Sequence, residues 1–137
     1  MTSFPIKLNV GDKFSVSREI TDELVRRFAD LSGDHNPIHL DGEFAKTTRF
    51  GRRIAHGMLS GAFISAVLGN EFAAQKIVYL SQTLRFIAPV FLGDTITTTG
   101  TIKHIRSDKG IVTLDTTCSN QLGVVTLTGE AAVMLLP

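Results

Sequence analysis

Residues 57–69, Gly-Met-Leu-Ser-Gly-Ala-Phe-Ile-Ser-Ala-Val-Leu-Gly, contain no charged side chain. As a helix, this run would carry apolar side chains all round and only small serines as polar ones, which is typical of a helix buried on every side. It is shorter than the ~20 apolar residues that a membrane span needs. The rest of the chain, or a second subunit, must therefore supply a layer that covers this helix.

The second half of the chain predicts that layer as a β-sheet. Segments rich in Val, Ile, Thr and Leu alternate with Gly, Pro, Asn and Asp turns, which is typical of successive strands. The predicted strands are 11–18, 77–86, 94–105, 110–118 and 124–135. Antiparallel strands after one buried helix predict an α+β fold with the sheet curled around the helix. A single sheet leaves part of the helix uncovered, so we expect a homodimer.

Bulk properties exclude several classes of protein. The 137 residues predict one domain over 1–137, and 43% hydrophobic with 20% charged residues excludes a disordered chain. The net charge of +1 gives no basic surface for nucleic acid. A single cysteine, Cys118, and the absence of an apolar run in Met1–Lys7 argue against secretion. We expect a cytoplasmic protein with no membrane segment.

The first half predicts a helix that leads into a polar loop. Thr21 is a suitable N-cap, Leu24, Phe28 and Leu31 recur at helical spacing, and Gly33 ends the run. We therefore expect a helix whose apolar stripe faces the core.

That loop carries Asp34 and His39, five residues apart, and Pro37 prevents the preceding helix from continuing through it. A carboxylate and an imidazole within reach of one water molecule can share the task of activating it. Histidine also titrates near neutrality. However, Asp-x-Asn-Pro is a common turn, and an Asp–His pair is often a structural hydrogen bond. The spacing alone leaves both interpretations open.

A family resemblance bears on this choice. The run from Phe28 to Ala45 resembles the hydratase 2 motif of the MaoC-like, (R)-specific enoyl-CoA hydratases, including the five-residue gap before Ala45. The similarity continues from Phe50 to Leu68, where residues 54–59 are similar to the family's His-Gly-Met entry to its central helix. A looser similarity covers residues 79–86 and 89–94. The resemblance implies the hotdog fold, a curled antiparallel sheet around one central helix, usually as a homodimer.

By motif position, the resemblance implies Asp34 and His39 as the catalytic pair. Gly57 matches a glycine whose backbone N–H faces the thioester carbonyl, although simple helix entry would also explain it. Ser65 matches a serine near the catalytic histidine, although a serine on a buried helix often bonds its own backbone. Asn36 orients the loop or contacts the ligand, with turn formation as the alternative.

The implied reaction is the reversible hydration of a trans-2-enoyl-CoA to a (3R)-3-hydroxyacyl-CoA, without a cofactor. Water attack places negative charge on the thioester oxygen, and the N–H groups at a helix N-terminus can stabilise that charge. A straight acyl tail would then run along the helix. Leu68 lies three residues after Ser65, and therefore on the same helical face. We expect it to close the tail pocket, with ordinary core packing as the alternative.

A metal site is the other chemistry that the histidines suggest. His35 and His39 are four residues apart, as on a zinc-binding helix, and His56 follows later in the chain. Pro37 lies between the first two, and no third ligand is evident from the sequence. We therefore expect no metal.

Three alternative functions remain at this point. A 3-hydroxyacyl-[acyl-carrier-protein] dehydratase would share every catalytic residue, and only the surface around the pocket would differ. The basic residues of 49–53 either meet coenzyme A phosphates there or form a solvated loop. A hotdog thioesterase generally has a carboxylate on or beside the central helix, where the nearest here is Glu71, at its far end. A non-enzymatic acyl-CoA-binding module would need neither Asp34 nor His39 and would normally carry an appended segment.

Overall fold

The helices lie mainly in the first half of the chain, and all strands but the first lie in the second half. The computed structural model describes residues 7–72 and 76–137, and only the backbone of residues 71 and 72. Its elements are β1 (Lys13–Glu19), α1 (Asp22–Ser32), α2 (Pro37–Leu40), α3 (Gly42–Lys46), α4 (Gly57–Ala66), a π-helical segment (Val67–Phe72), β2 (Ile77–Gln82), β3 (Arg85–Phe86), β4 (Thr95–Arg106), β5 (Ile111–Ser119) and β6 (Val125–Leu135). The side chain of Glu71, which bears on the thioesterase alternative, lies outside the described residues. So do residues 1–6, which bear on the argument against secretion.

The strands form one antiparallel sheet. Its order is β1-β4-β5-β6-β2, and β3 also pairs with β6. Along β4 and β5, every second side chain is buried, as expected for strands with one face on a core. The predicted strand over 77–86 is divided, because β2 and β3 pair with different parts of β6. The α+β architecture predicted from the sequence is confirmed.

Helix α4 packs against β4 and β5. Its side chains Leu59, Phe63 and Ile64 are buried in the same hydrophobic core as the inner residues of the sheet. Met58 is 55% exposed, and Ser65 is also exposed. The prediction of a helix buried on every side is therefore wrong for the single chain, because the sheet covers only one side of it.

Helix α1 has the ends that the sequence predicts. Thr21 Oγ1 accepts a hydrogen bond from the N–H of Leu24 at 3.1 Å, and Gly33 ends the helix with a φ of 80°. Phe28 packs against the core, but Leu31 is 85% exposed, so its predicted place in the apolar stripe is wrong. None of the helices in the described parts of the chain is long and apolar enough to cross a membrane.

Candidate active site

The turn after α1 fixes the orientation of the Asp34 carboxylate. The N–H of Asp34 donates to Ser32 Oγ, and Asp34 Oδ1 accepts the N–H of Asn36, both at 3.1 Å. The second oxygen, Oδ2, lies 3.9 Å from His39 Nε2. The carboxylate is half exposed. One of its oxygens therefore holds the turn, while the other faces the imidazole.

His39 lies on a short helix and not, as predicted, on an irregular loop. Pro37 is the first residue of α2, where a proline costs no hydrogen bond. Asn36 is the N-cap, since its Oδ1 accepts the N–H of Ile38 at 3.1 Å. Asn36 thus has the turn-forming role that the sequence analysis left open. Helix α2 gives the imidazole a defined direction.

The hydrogen bond of the His39 ring determines its tautomer. Nδ1 lies 2.8 Å from the carbonyl oxygen of Ile54. Because a carbonyl oxygen only accepts, Nδ1 carries the proton, and Nε2 presents a lone pair toward Asp34. Burial lowers the pKa of His39 below its ordinary value of 6.5, although the Ile54 carbonyl and the Asp34 charge oppose this effect. Near neutral pH, Nε2 is therefore unprotonated, which is the form of the imidazole that can take a proton.

The 3.9 Å between Asp34 Oδ2 and His39 Nε2 is too long for a direct hydrogen bond. A water molecule can nevertheless lie at about 2.8 Å from both atoms, which is ordinary hydrogen-bond length. The structure therefore brings the two predicted residues together in an arrangement that suits joint binding of one water.

Gly57 begins α4, and the first N–H groups of a helix have no intrahelical acceptor. The preceding residue, His56, makes no side-chain cap to them. The Phe86 ring lies directly over Gly57, so a Cβ added there would come within 2.8 Å of the ring. Glycine therefore keeps this helix end accessible and lets the aromatic ring approach it.

Asp34, His39 and Gly57 line one cavity of about 570 Å³, a usual size for a small-molecule site. Its walls are mainly apolar and include Phe28, Phe50, Ile54, Ala55, Met58, Phe86, Ile87, Pro89, Val90 and Leu127. The residues that line this cavity, within the part of the chain that the structure describes, do not include Asn36, Ser65 or Leu68.

Ser65 and Leu68 do not share a face as predicted. Ser65 is exposed on the outer side of α4, whereas Leu68 is 1% exposed and belongs to the hydrophobic core. The chain changes from α-helical to π-helical geometry at Val67, which alters the angle between successive side chains. Of the residues on α4, the one furthest along the helix that lines the cavity is Ser60.

The structure adds two residues to which the sequence analysis gave no part in the site's framework. The His56 ring stacks on His39, with ring centroids 3.8 Å apart. Arg53 donates from Nε to the His39 carbonyl at 2.7 Å and pairs with Asp22 at 2.8 Å. His56 stands directly before Gly57, and that position was the only sequence signal for it. Nothing in the sequence indicated that Arg53 would bind a main-chain group.

The remaining arginines of segment 49–53 lie in different surroundings. Arg49 lines the cavity, and its guanidinium lies over the Phe50 ring, 4.9 Å from the centroid. The Arg52 guanidinium lies 3.9 Å from the centre of the Phe91 ring. Arg49 is therefore the arginine of this segment that a ligand in the cavity would meet.

Asp34, His39 and His56 each offer a potential metal-ligand atom, all within 4.8 Å of one another. The two imidazole planes, however, are stacked at 28°, so their in-plane lone pairs do not converge on one point. Each ring also has one nitrogen hydrogen-bonded to a backbone carbonyl. His35 is directed elsewhere, toward Asp30. This geometry suits a hydrogen-bonding framework better than a metal centre, and the absence of a metal stays a prediction.

Comparison with known proteins places these features in a family. The model of the MaoC like domain family matches residues 7–121. An (R)-specific enoyl-CoA hydratase of Rhodospirillum rubrum is 45% identical over 125 residues, covering 91% of this chain and 86% of that protein. A mitochondrial 3-hydroxyacyl-[acyl-carrier-protein] dehydratase of Arabidopsis thaliana is 35% identical over 133 residues, covering 93% and 78%. The solved structure of an (R)-hydratase from A. caviae superposes with a TM-score of 0.91 at 43% identity, covering 94% of this chain and 98% of that one. This likeness confirms the predicted hotdog fold.

Proposed function

The chain belongs to the MaoC-like family, and from this premise we propose that Asp34 and His39 catalyse the reversible hydration of a trans-2-enoyl-CoA to a (3R)-3-hydroxyacyl-CoA. The protein is an enzyme of the hydro-lyase class. The observation that carries the proposal is the pair of atoms Asp34 Oδ2 and His39 Nε2, 3.9 Å apart, in the same cavity as the N-terminus of α4.

The first step is activation of water. A water molecule held between Asp34 and His39 donates one hydrogen bond to each of them, so its oxygen lone pair is free to attack C3 of the enoyl chain. One O–H bond breaks as the C–O bond forms, and the proton passes to the acid–base pair. A positioned base of this kind contributes about 10²–10⁴-fold to the rate.

The second step returns that proton to the substrate. His39 Nε2 carries no proton at the start, because Nδ1 holds the ring hydrogen against Ile54. The proton that reaches C2 must therefore be the one that the pair has just received from water. The net change is the addition of H to C2 and OH to C3. The reverse sequence of the same steps is the dehydration.

Between these steps the thioester carries negative charge on its oxygen. The N–H of Gly57, at the positive end of α4, is the donor that we assign to this oxygen. Removal of such a donor costs about 10²–10³-fold in other enzymes. The mainly apolar walls of the cavity lower the local dielectric and so strengthen this interaction. The reaction needs no cofactor, since the coenzyme A thioester is the substrate.

We propose coenzyme A as the carrier of the acyl group. Arg49 lines the cavity and belongs to none of the ion pairs of the described residues, so it is available to an anionic ligand. The sequence is also closer to the named enoyl-CoA hydratase than to the acyl-carrier-protein dehydratase, at 45% against 35% identity. An acyl-carrier-protein substrate is the second candidate, because it requires the same acid–base pair.

Thioester hydrolysis and simple binding have less support. Helix α4 has no carboxylate to serve as the base of a hotdog thioesterase. An acyl-CoA-binding module would have no use for a carboxylate and an imidazole directed at one water molecule. The paired geometry of Asp34 and His39 therefore favours hydration over both.

We further propose that the enzyme is a homodimer in the cytosol. Met58, Tyr79 and Leu80 are exposed and line a shallow apolar groove between α4 and β2. Strand β2 is at the edge of the sheet, so its outer backbone groups can pair with a second copy. A stable, active monomer of 14.9 kDa in light scattering would contradict the dimer.

The single cysteine supports the proposed location in the cytosol, which is a reducing compartment.

The decisive experiment is a spectrophotometric assay with three substrates after dialysis against EDTA. We expect crotonyl-CoA and trans-2-octenoyl-CoA to be hydrated to the (3R) alcohols, as identified by chiral chromatography. Crotonyl-acyl-carrier protein should be a poorer substrate, by at least about tenfold in kcat/KM. The (3S) product, activity only with the acyl-carrier protein, or loss of activity in EDTA would each contradict one part of the proposal.

A further inference from the structure

His56 is a histidine in an environment where a polar ring is costly to bury. It is 3% exposed and immediately precedes the first residue of α4. Its Nε2 lies 2.9 Å from the carbonyl oxygen of Asp34, and because that oxygen only accepts, Nε2 is the donor. Nδ1 is buried without a hydrogen-bond partner among the described residues. A phenylalanine or leucine would fill the space without an unpaired nitrogen, so packing alone does not account for a histidine.

The ring contacts both members of the acid–base pair. One face stacks on His39 at 3.8 Å, and Phe28 lies against the ring in a tilted arrangement at 5.0 Å. The Nε2 hydrogen bond reaches the main chain of Asp34, 22 residues earlier in the sequence. His56 therefore connects the turn that carries Asp34, the helix that carries His39 and the N-terminus of α4.

We propose that His56 is a positioning residue that holds Asp34 and His39 in register with the N–H groups of α4. This inference rests on the proposed hydratase activity. The hydrogen bond from Nε2 fixes the main chain of Asp34, and the stack fixes the plane of the His39 ring. Together they set the 3.9 Å gap in which the pair shares a water molecule.

His56 does not relay a proton in this arrangement. Nε2 is bonded to a main-chain carbonyl, and Nδ1 has no partner within the described ranges. Its contribution is geometric, so its loss should change the rate of the chemical step more than the binding of substrate. A displacement of about 1 Å at a reacting group can cost about 10²-fold.

Three substitutions separate the two contacts. His56→Gln keeps an N–H donor but removes the stacked ring, His56→Phe keeps a ring but removes the donor, and His56→Leu removes both. We expect kcat for crotonyl-CoA to fall about 10-fold in the first two and about 10²-fold in His56→Leu, with KM within about threefold of the wild type. His104→Gln, an exposed histidine on β4, is the matched control and should retain its activity.

Histidine ¹⁵N NMR provides a readout that does not depend on turnover. In the wild type, His39 should show the Nδ1–H tautomer, and in His56→Leu it should show a mixture of tautomers. Unchanged kcat in folded His56→Leu, or a loss confined to KM, would overturn the proposal. If that variant does not fold, unchanged kcat in both His56→Gln and His56→Phe would overturn it as well. A wild type that is inactive on every enoyl thioester, with the tautomer change intact, would contradict the proposed function and leave the positioning role standing.

Discussion

The two ends of the uncharged helix run differ in what they contribute. At the N-terminal end, Gly57 begins α4 without a side-chain cap and lines the same cavity as Asp34 and His39. At the other end the chain becomes π-helical, and Leu68 is packed in the core close to Gly100. The same absence of charge therefore has two consequences. It leaves the helix dipole uncompensated where a ligand approaches, and it permits full burial where only packing is needed.

Removing the acid–base pair is the strongest test that the N-terminal end is the chemical one. Asp34→Asn and His39→Gln should each lower kcat by about 10²–10⁴-fold, because each removes a group that holds or takes the proton of the attacking water. The double variant should be little worse than the more damaged single one, since both residues act on one water. Steady-state kinetics with crotonyl-CoA checks this. A folded single variant with more than about a tenth of the activity would contradict the pair.

Adding one methyl group at the first residue of α4 tests whether ligand approach matters there. Gly57→Ala should lower kcat/KM by about 10–10²-fold, less than loss of a donor, because the N–H remains while the methyl occupies the space beside it. Gly61→Ala on the same helix meets only ordinary contacts of 3.5 Å or more and should retain activity within about twofold.

The Phe86 ring offers a second explanation for Gly57, and a double variant distinguishes the two. The added methyl comes within 2.8 Å of that ring. If crowding of Phe86 were the whole cause, Gly57→Ala combined with Phe86→Ala would recover the kcat/KM of Phe86→Ala alone. We expect no recovery, because the methyl still lies where the thioester approaches.

The N-terminal end was largely predictable from the sequence because its signals are local. Thr21, Gly33 and Asn36 fix their backbone through caps and turns within a few residues, and these contacts follow from residue type. The family resemblance then implied that Asp34 and His39 act as a pair, which their spacing alone had left open. What the sequence did not reveal is the set of contacts that orient them, since the Ile54 carbonyl, Arg53 and His56 reach the site through tertiary packing.

The far end was harder to predict because its outcome depends on helix geometry. Residues three apart share a face only while the α-helix continues, and the π-helical segment from Val67 separates the surroundings of Ser65 and Leu68. Likewise, apolar composition indicated that α4 would be buried but could not indicate which side the sheet covers. Both errors come from treating the run as a uniform helix.

Shortening Leu68 tests whether the far end is only core. Because Leu68 is packed in the core and does not line the cavity, we expect Leu68→Ala to leave unchanged the ratio of kcat/KM for the eight-carbon over the four-carbon enoyl-CoA. The same change should lower the free energy of unfolding by about 2–5 kcal/mol. Leu114→Ala, an equally buried deletion on β5, should cause a similar loss of stability without changing the ratio. A ratio that rises about tenfold in folded Leu68→Ala would contradict this and would place the residue at the end of the acyl pocket, as the sequence predicted.

The smallest effect concerns the titration of His39. Burial lowers the pKa of His39 below 6.5, and the stacked His56 acts in the same direction. The Ile54 carbonyl and the Asp34 charge raise it. The nearby Arg53 guanidinium is bonded to the His39 carbonyl. The form that accepts a proton is the unprotonated one, so activity is present above the pKa of the folded state and is lost as pH falls through it. Because that pKa lies below 6.5, we expect kcat/KM at pH 6.5 to be reduced less than about twofold.

The free energy of unfolding should also fall as pH drops below about 6.5, because the unfolded chain binds the His39 proton more readily than the folded chain does. His39→Gln should lack this part of the change in melting temperature with pH. An acidic limb of kcat/KM centred above pH 6.5 would show that the surroundings of His39 favour its charged form, and would contradict a buried base at this end of the helix.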